Sequence, residues 1–152
     1  MTDRVDFYVL NGTVPRDRWV VACRLAEKAY LRDMTVVMLS ETGTDAEALD
    51  ELLWTFSERS FVPHDLRRGV RGEPRPAAAP VQVTADPECV DGADLLVNLS
   101  SRLPGRLDRF KRIAEIVDAD EDRRRLGRER FKAYRDLELP VETHRLDEAG
   151  AA

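Results

Sequence analysis

Cysteine is nearly absent from this 152-residue chain: Cys23 and Cys89 lie far apart and in no ligand spacing. That excludes a disulfide framework and a thiolate metal site, and leaves two reduced, structural thiols as the simplest reading. Histidine is equally scarce. His64 follows a proline, and no cysteine or acid stands at a spacing that would complete a metal site around it or His144. A hydrogen-bonded or exposed histidine is expected, and no metal or cofactor. Long apolar runs are also missing. None approaches the roughly 20 residues that cross a bilayer as a helix. The opening MTDRVDFYVL has acids and no signal-peptide core, so a cytoplasmic protein is expected.

Glycine is lacking where nucleotide chemistry would need it. The turn at 11–18, NGTVPRDR, follows an apolar run but holds one glycine, and neither G-x-G-x-x-G nor G-K-[ST] occurs. A phosphate cradle needs several glycines so that backbone N–H groups can approach the phosphates. A nucleotide-dependent enzyme on an α/β sheet is therefore an alternative without its grip. Nucleophilic catalysis fares no better. Ser100 and Ser101 follow an apolar run, but no G-x-S-x-G elbow surrounds them. Asp118, Asp120, Glu121 and Asp122 cluster between two predicted elements. Such acids can hold Mg²⁺, but they more often sit at a helix N-terminus, where the dipole favours them. No catalytic residue emerges.

What is present suits one globular domain. Hydrophobic residues make up 43%, charged residues 35%, and the net charge is −5. Such a length buries a core unaided, and an acidic whole argues against general nucleic-acid affinity. Residues 5–10, VDFYVL, read as a strand that Asn11-Gly12 breaks. Pro15 can open a helix, and Trp19, Val20, Cys23, Leu25, Ala26, Ala29 and Tyr30 continue it from Arg16 to about Arg32. Residues 35–39, TVVML, suit a strand buried on both faces. Thr44 or Asp45 caps a helix from Ala46 to about Trp54. Residues 60–62 form a short extended piece before Pro63, and 67–80, rich in Gly, Pro and Arg, a mobile loop. Strands follow at 81–83 and 95–99.

Leu107, Phe110, Ile113, Ala114 and Val117 carry helical spacing over 106–117. A further helix runs from about Glu121 to Arg135, and 141–146, VETHRL, alternates like an edge strand. The alternation of strands and helices predicts one α/β domain over 1–146, with a mostly parallel sheet covered by helices on both faces. Residues 147–152 form a disordered tail.

Two stretches stand out. Residues 123–135, RRRLGRERFKAYR, hold seven basic residues and one acid, a local +6 that leaves the rest of the chain near −11. On a helix, Arg124, Arg128, Phe131, Lys132 and Arg135 share one face. That stripe reads as a solvated helix face, as a track for single-stranded nucleic acid with a base stacked on Phe131, or as a grip for an acidic peptide with an apolar anchor. Its small size and the acidic remainder favour the peptide. The second stretch is 52–64, LLWTFSERSFVPH, which brings Trp54, Phe56 and Phe61 together near a helix end. Aromatics there pack a core or, if exposed, mark a partner site.

Together FYVL (7–10), CRLAEKAY (23–30), DELLWTF (50–56), SFVPH (60–64), LLVNLS (95–100), RFKRIAEIVD (109–118) and RERFKAYR (128–135) resemble the chi subunit family of the bacterial DNA polymerase III holoenzyme. The resemblance covers nearly the whole chain outside the 67–80 loop and the last residues. It implies a Rossmann-like fold with neither phosphate-binding loop nor catalysis, and two partners. One is the psi subunit, which tethers chi to the clamp loader. The other is the acidic C-terminal tail of single-stranded-DNA-binding protein, ending in Ile-Pro-Phe. The resemblance puts the tail site on Val117, Arg124, Arg128, Phe131, Lys132 and Thr143, and the psi site on Trp54 and Phe61. Phe131 stands where the family often has tyrosine, so the apolar wall is kept and a hydroxyl lost. In some relatives the psi surface also serves an accessory helicase.

Overall fold

A computed structural model describes residues 2–58, 61–67, 79–86, 88 and 92–146. The first strand, β1 (Arg4–Leu10), leads into helix α1 (Pro15–Tyr30), with Pro15 at its first turn where no N–H is needed. Strand β2 (Val36–Leu39) is buried at every position, as a strand covered on both faces must be. Helix α2 (Gly43–Thr55) starts three residues earlier than expected. Its cap is Thr42, whose side-chain oxygen accepts from the Asp45 N–H at 3.1 Å, and not Thr44 or Asp45.

Strands β3 (His64–Arg67), β4 (Val81–Thr84) and β5 (Ala93–Asn98) follow. The extended piece expected at 60–62 is displaced: Phe61 and Val62 lie outside any strand, Ser60 lies outside the described residues, and the strand begins after Pro63. Polar His64 and charged Asp65 and Arg67 disguise it. Residues 68–78 of the expected mobile loop, the 147–152 tail and Cys89 lie outside the described residues.

The main correction concerns 106–117. Only Leu107–Arg109 turns, as a short 3-10 segment; Phe110–Val117 is strand β6. It pairs in parallel with β5 on one side and β1 on the other, so Ile113, Ala114, Ile116 and Val117 are buried whichever way they point. A strand buried on both faces loses its polar alternation, and its apolar residues then also satisfy helical spacing. The β-branched Ile113, Ile116 and Val117 were the overlooked strand signal. Helix α3 (Glu121–Asp136) and edge strand β7 (Val141–Leu146) complete the chain where expected.

The seven strands form one wholly parallel sheet in the order β3-β4-β2-β5-β6-β1-β7. Alternate side chains feed two cores. Val36, Met38 and Ile116 meet the apolar faces of α1 and α2, including Ala26, Leu49 and Leu53. Val37, Leu39, Phe7, Ile113 and Val117 meet Tyr134 and Phe131 of α3 on the other face. Cys23 is fully buried in the first core, and burial pushes its thiol up to about 12, so it is inert. Among the described residues no helix is long and apolar enough to cross a membrane.

Candidate functional site

The start of α3 is fixed by the acidic cluster. Asp120 caps the helix, accepting from the Arg123 N–H at 3.0 Å, and Glu121 and Asp122 fill the first turn, where the dipole favours them. Asp118 is buried and accepts from Arg123 Nε and Nη2 at 2.8 and 2.7 Å. Burial alone would raise its carboxyl; the Arg123 bonds and the Asp120 N–H outweigh that and hold it below the usual range. The middle of α3 is pinned to the sheet by Glu115 of β6. Its fully buried carboxylate accepts from Arg130 Nε at 3.0 Å, Tyr134 O–H at 2.6 Å and Asn98 Nδ2 at 2.9 Å. Burial outweighs these donors and raises the Glu115 carboxyl.

Where α3 overhangs β6, β1 and β7, a cavity of about 270 Å³ opens. Val117, Arg124, Arg128, Phe131 and Thr143 line it, so five of the six residues singled out from the sequence come together. Lys132, one turn beyond Arg128, is exposed and does not line the cavity. Four further lining residues were missed: Phe7, Val9, Gly127 and Arg145. Helix α3 carries Gly127, and strand register puts the other three there. Arg145 pairs with Val9, and Val9 with Val117, so one row across three strands floors the site. Phe7 supports Phe131, with ring centroids 5.2 Å apart and planes at 59°. The edge-strand pattern of 141–146 was the one available signal for Arg145.

The cavity joins an apolar floor to the guanidinium groups of Arg124, Arg128 and Arg145, and no acid lines it. Arg124 is oriented by a hydrogen bond from Nε to the Asp118 carbonyl at 3.0 Å. Arg128 and Lys132 make no hydrogen bond or ion pair among the described residues. The rest of the basic segment is otherwise engaged. Arg123 and Arg130 hold buried carboxylates, Arg125 lies 3.7 Å from Asp122 and 3.8 Å from Glu129, and Arg135 lies over the Phe131 ring at 6.0 Å. The stripe is thus a compact patch, not a continuous phosphate track.

The aromatic stretch divides. Phe56 packs against the core, whereas Trp54 is 52% and Phe61 67% exposed, with ring centroids 5.7 Å apart. Trp54 also rests on His64, at 4.5 Å between centroids. His64 is buried and held by the Val62 carbonyl at 2.6 Å and the Asp50 carbonyl at 3.0 Å. His144 stacks on Tyr8 and lies 2.9 Å from Asp6. Asp6, Glu142 and His144 are close enough to share an ion, but Arg4 and Arg112 already pair with Asp6. Ser100 is buried and donates to Asn98 Oδ1, and Ser101 donates to Glu41.

Residues 1–142 match the family model described as the DNA polymerase III chi subunit, HolC. The chain belongs to the chi family. DNA polymerase III subunit chi of Pseudomonas aeruginosa is 37% identical over 143 residues, 94% of this chain and 96% of that protein. The chi subunit of Haemophilus influenzae is 28% identical over 89% of this chain and 92% of its own length, and that of Escherichia coli 29% over 85% and 88%. A solved structure, T4 UvsW, matches 96% of this chain with a TM-score of 0.64 at 10% identity. This chain spans 42% of that protein, and the likeness concerns the Rossmann-like α/β fold alone. The family accounts for the chain as a subunit of DNA polymerase III, working in DNA replication.

Proposed function

We propose that this chi-family chain is a non-catalytic accessory subunit that links the clamp loader, through psi, to the acidic tail of single-stranded-DNA-binding protein. The observation that carries the reading is the cavity under α3, with an apolar floor and with arginines as its charged lining groups among the described residues. A peptide ending in an apolar residue fits it. The last side chain enters between Val117 and Phe131, and the terminal carboxylate and nearby acids meet Arg124, Arg128 and Lys132. Such a contact is worth about −8 kcal/mol, or a micromolar Kd.

Trp54 and Phe61 supply the second contact, to psi, and the same patch suits an accessory helicase as a rival to psi. The two contacts belong to opposite halves of the molecule. Helix α2 packs on β3 and β4, while the cavity lies against β7 at the other edge. Six strand spacings of about 4.8 Å separate the edges, roughly 29 Å, so one partner leaves the other's site open. The mechanism is tethering: two modest contacts on one rigid domain raise the local concentration of polymerase at coated single strands. The protein works in the cytoplasm, at the nucleoid, and binds neither nucleic acid nor membrane directly.

Size-exclusion chromatography of the chain with psi and with single-stranded-DNA-binding protein tests this. A three-component peak is expected. Mutual exclusion of the two partners would contradict it.

A further inference from the structure

A second cavity, of about 390 Å³, lies over the carboxyl ends of β2, β5 and β6, and the tail-docking reading makes no use of it. It sits between the start of α1 and the inner side of α3. These helices leave the neighbouring strands β1 and β6 by opposite faces, and parallel sheets form ligand crevices at such a switch point. Its volume falls within the range of about 300–1,000 Å³ typical of small-molecule sites.

Its polar groups are unbalanced. Arg18 is only 8% exposed, and its Nε and Nη2 donate to the carbonyls of Ile116 at 3.3 Å and Leu99 at 3.2 Å. It has no carboxylate partner among the described residues. A buried guanidinium that no carboxylate pairs directly is costly. Burial, with Arg123 and Arg130 nearby, outweighs the more distant pull of Asp118 and Glu115 and pushes its guanidinium down to about 10. The Ser40 hydroxyl is a second anomaly: the residue is 2% exposed, lines the cavity, and its oxygen has no hydrogen-bond partner among the described residues. Helix α1 opens nearby with no side-chain cap at Val14. Of the two acids on the wall, Glu41 is engaged by Ser101; Asp45 is the other.

We propose that this crevice binds a small molecule carrying an oxyanion, phosphate or carboxylate. The anion is held by Arg18 and Ser40, and an apolar body lies against Trp19 and Leu99. Arginines and a hydroxyl here replace the glycine cradle that the turn at 11–18 lacks. Nothing in this reading depends on the tail site.

The test is a ¹H–¹⁵N NMR titration of the full chain with inorganic phosphate, adenosine monophosphate and citrate, each against sodium chloride at matched ionic strength. The expected result is saturable shifts at Ser40, Glu41, Ser100 and Ser101, with half-saturation at about millimolar or below. Tighter binding by citrate assigns a carboxylate, and by the phosphates a phosphate ester. Ser40→Ala, which removes only the hydroxyl, should weaken binding by about tenfold. Trp19→Ala should weaken adenosine monophosphate more than phosphate. Shifts that chloride reproduces, that never saturate, that fall only around Arg124–Lys132, or that survive Ser40→Ala unchanged would overturn the proposal.

Discussion

Gly127 of α3 stands directly over Val117 of β6: a Cβ at Gly127 would lie 3.1 Å from Val117 Cγ2. A side chain there would press on Val117, and both residues line the cavity under α3. Gly127→Ala gains about 1 kcal/mol of helix propensity and loses a similar amount to the crowding of Val117. Stability should therefore stay within about 1 kcal/mol in urea melts. Gly127→Leu should lower stability and abolish binding of an acidic peptide ending in Ile-Pro-Phe, because it lifts α3 off the floor of the site. Unimpaired peptide binding by Gly127→Leu would show that the peptide lodges elsewhere.

The two contacts should separate by mutation. Arg128→Ala and Lys132→Ala remove charges that have no partner among the described residues, so each should weaken the tail peptide about five- to tenfold and leave psi binding unchanged. Trp54→Ala and Phe61→Ala should do the reverse. Isothermal titration against each partner, with circular dichroism to confirm folding, measures both. Equal losses for both partners from folded variants would refute the two-site arrangement.

Arg145 makes a sharper case, because neither the sequence nor the resemblance singled it out. It faces Arg124 and Arg128 across the cavity wall from β7. Arg145→Glu should weaken the peptide by more than tenfold and flatten its salt dependence, since attraction is replaced by repulsion. An unchanged salt slope would place Arg145 outside the contact.

Acid stability should follow Asp118. Its folded carboxyl lies below the ordinary 3.8, so it binds fewer protons folded than unfolded. Its contribution is complete above pH 3.8 and is lost as pH falls through the lowered folded value. Asp6 and Asp94 act in the same direction. Glu115 acts oppositely, but its raised value confines that effect to pH above its ordinary 4.5. The melting temperature should therefore drop below pH 3.8. Arg123→Gln should lower it at neutral pH and make the acid drop shallower. Parallel curves for the two proteins would show that the Asp118–Arg123 pair does not couple to folding.

Much of this was legible in the sequence, for identifiable reasons. Strands at 5–10 and 35–39 and the helix opened by Pro15 announced themselves through apolar runs and punctuation. Segment 110–117 was misread because a central strand shows no polar face, and its one polar inward residue, Glu115, finds its partners on α3 and β5, far off in sequence. Strand β3 was hidden because three of its four residues, His64, Asp65 and Arg67, are polar, although His64 and Arg67 are buried. The α3 side of the cavity under that helix was legible because helix spacing fixes a face. On its strand side only Val117 and Thr143 were named, through the family resemblance, because Phe7, Val9 and Arg145 meet only through register. Arg18 looked like any charge on a helix; its burial over the strand ends is a property of the sheet.

The central claim is most directly tested by fluorescence anisotropy of the purified chain with an acidic peptide ending in Ile-Pro-Phe. The same peptide with an amidated end and a single-stranded oligonucleotide serve as controls. The account predicts a micromolar Kd that rises with salt, a marked loss on amidation, and no binding of the oligonucleotide. No peptide binding by the folded protein, or oligonucleotide binding of equal strength, would contradict it.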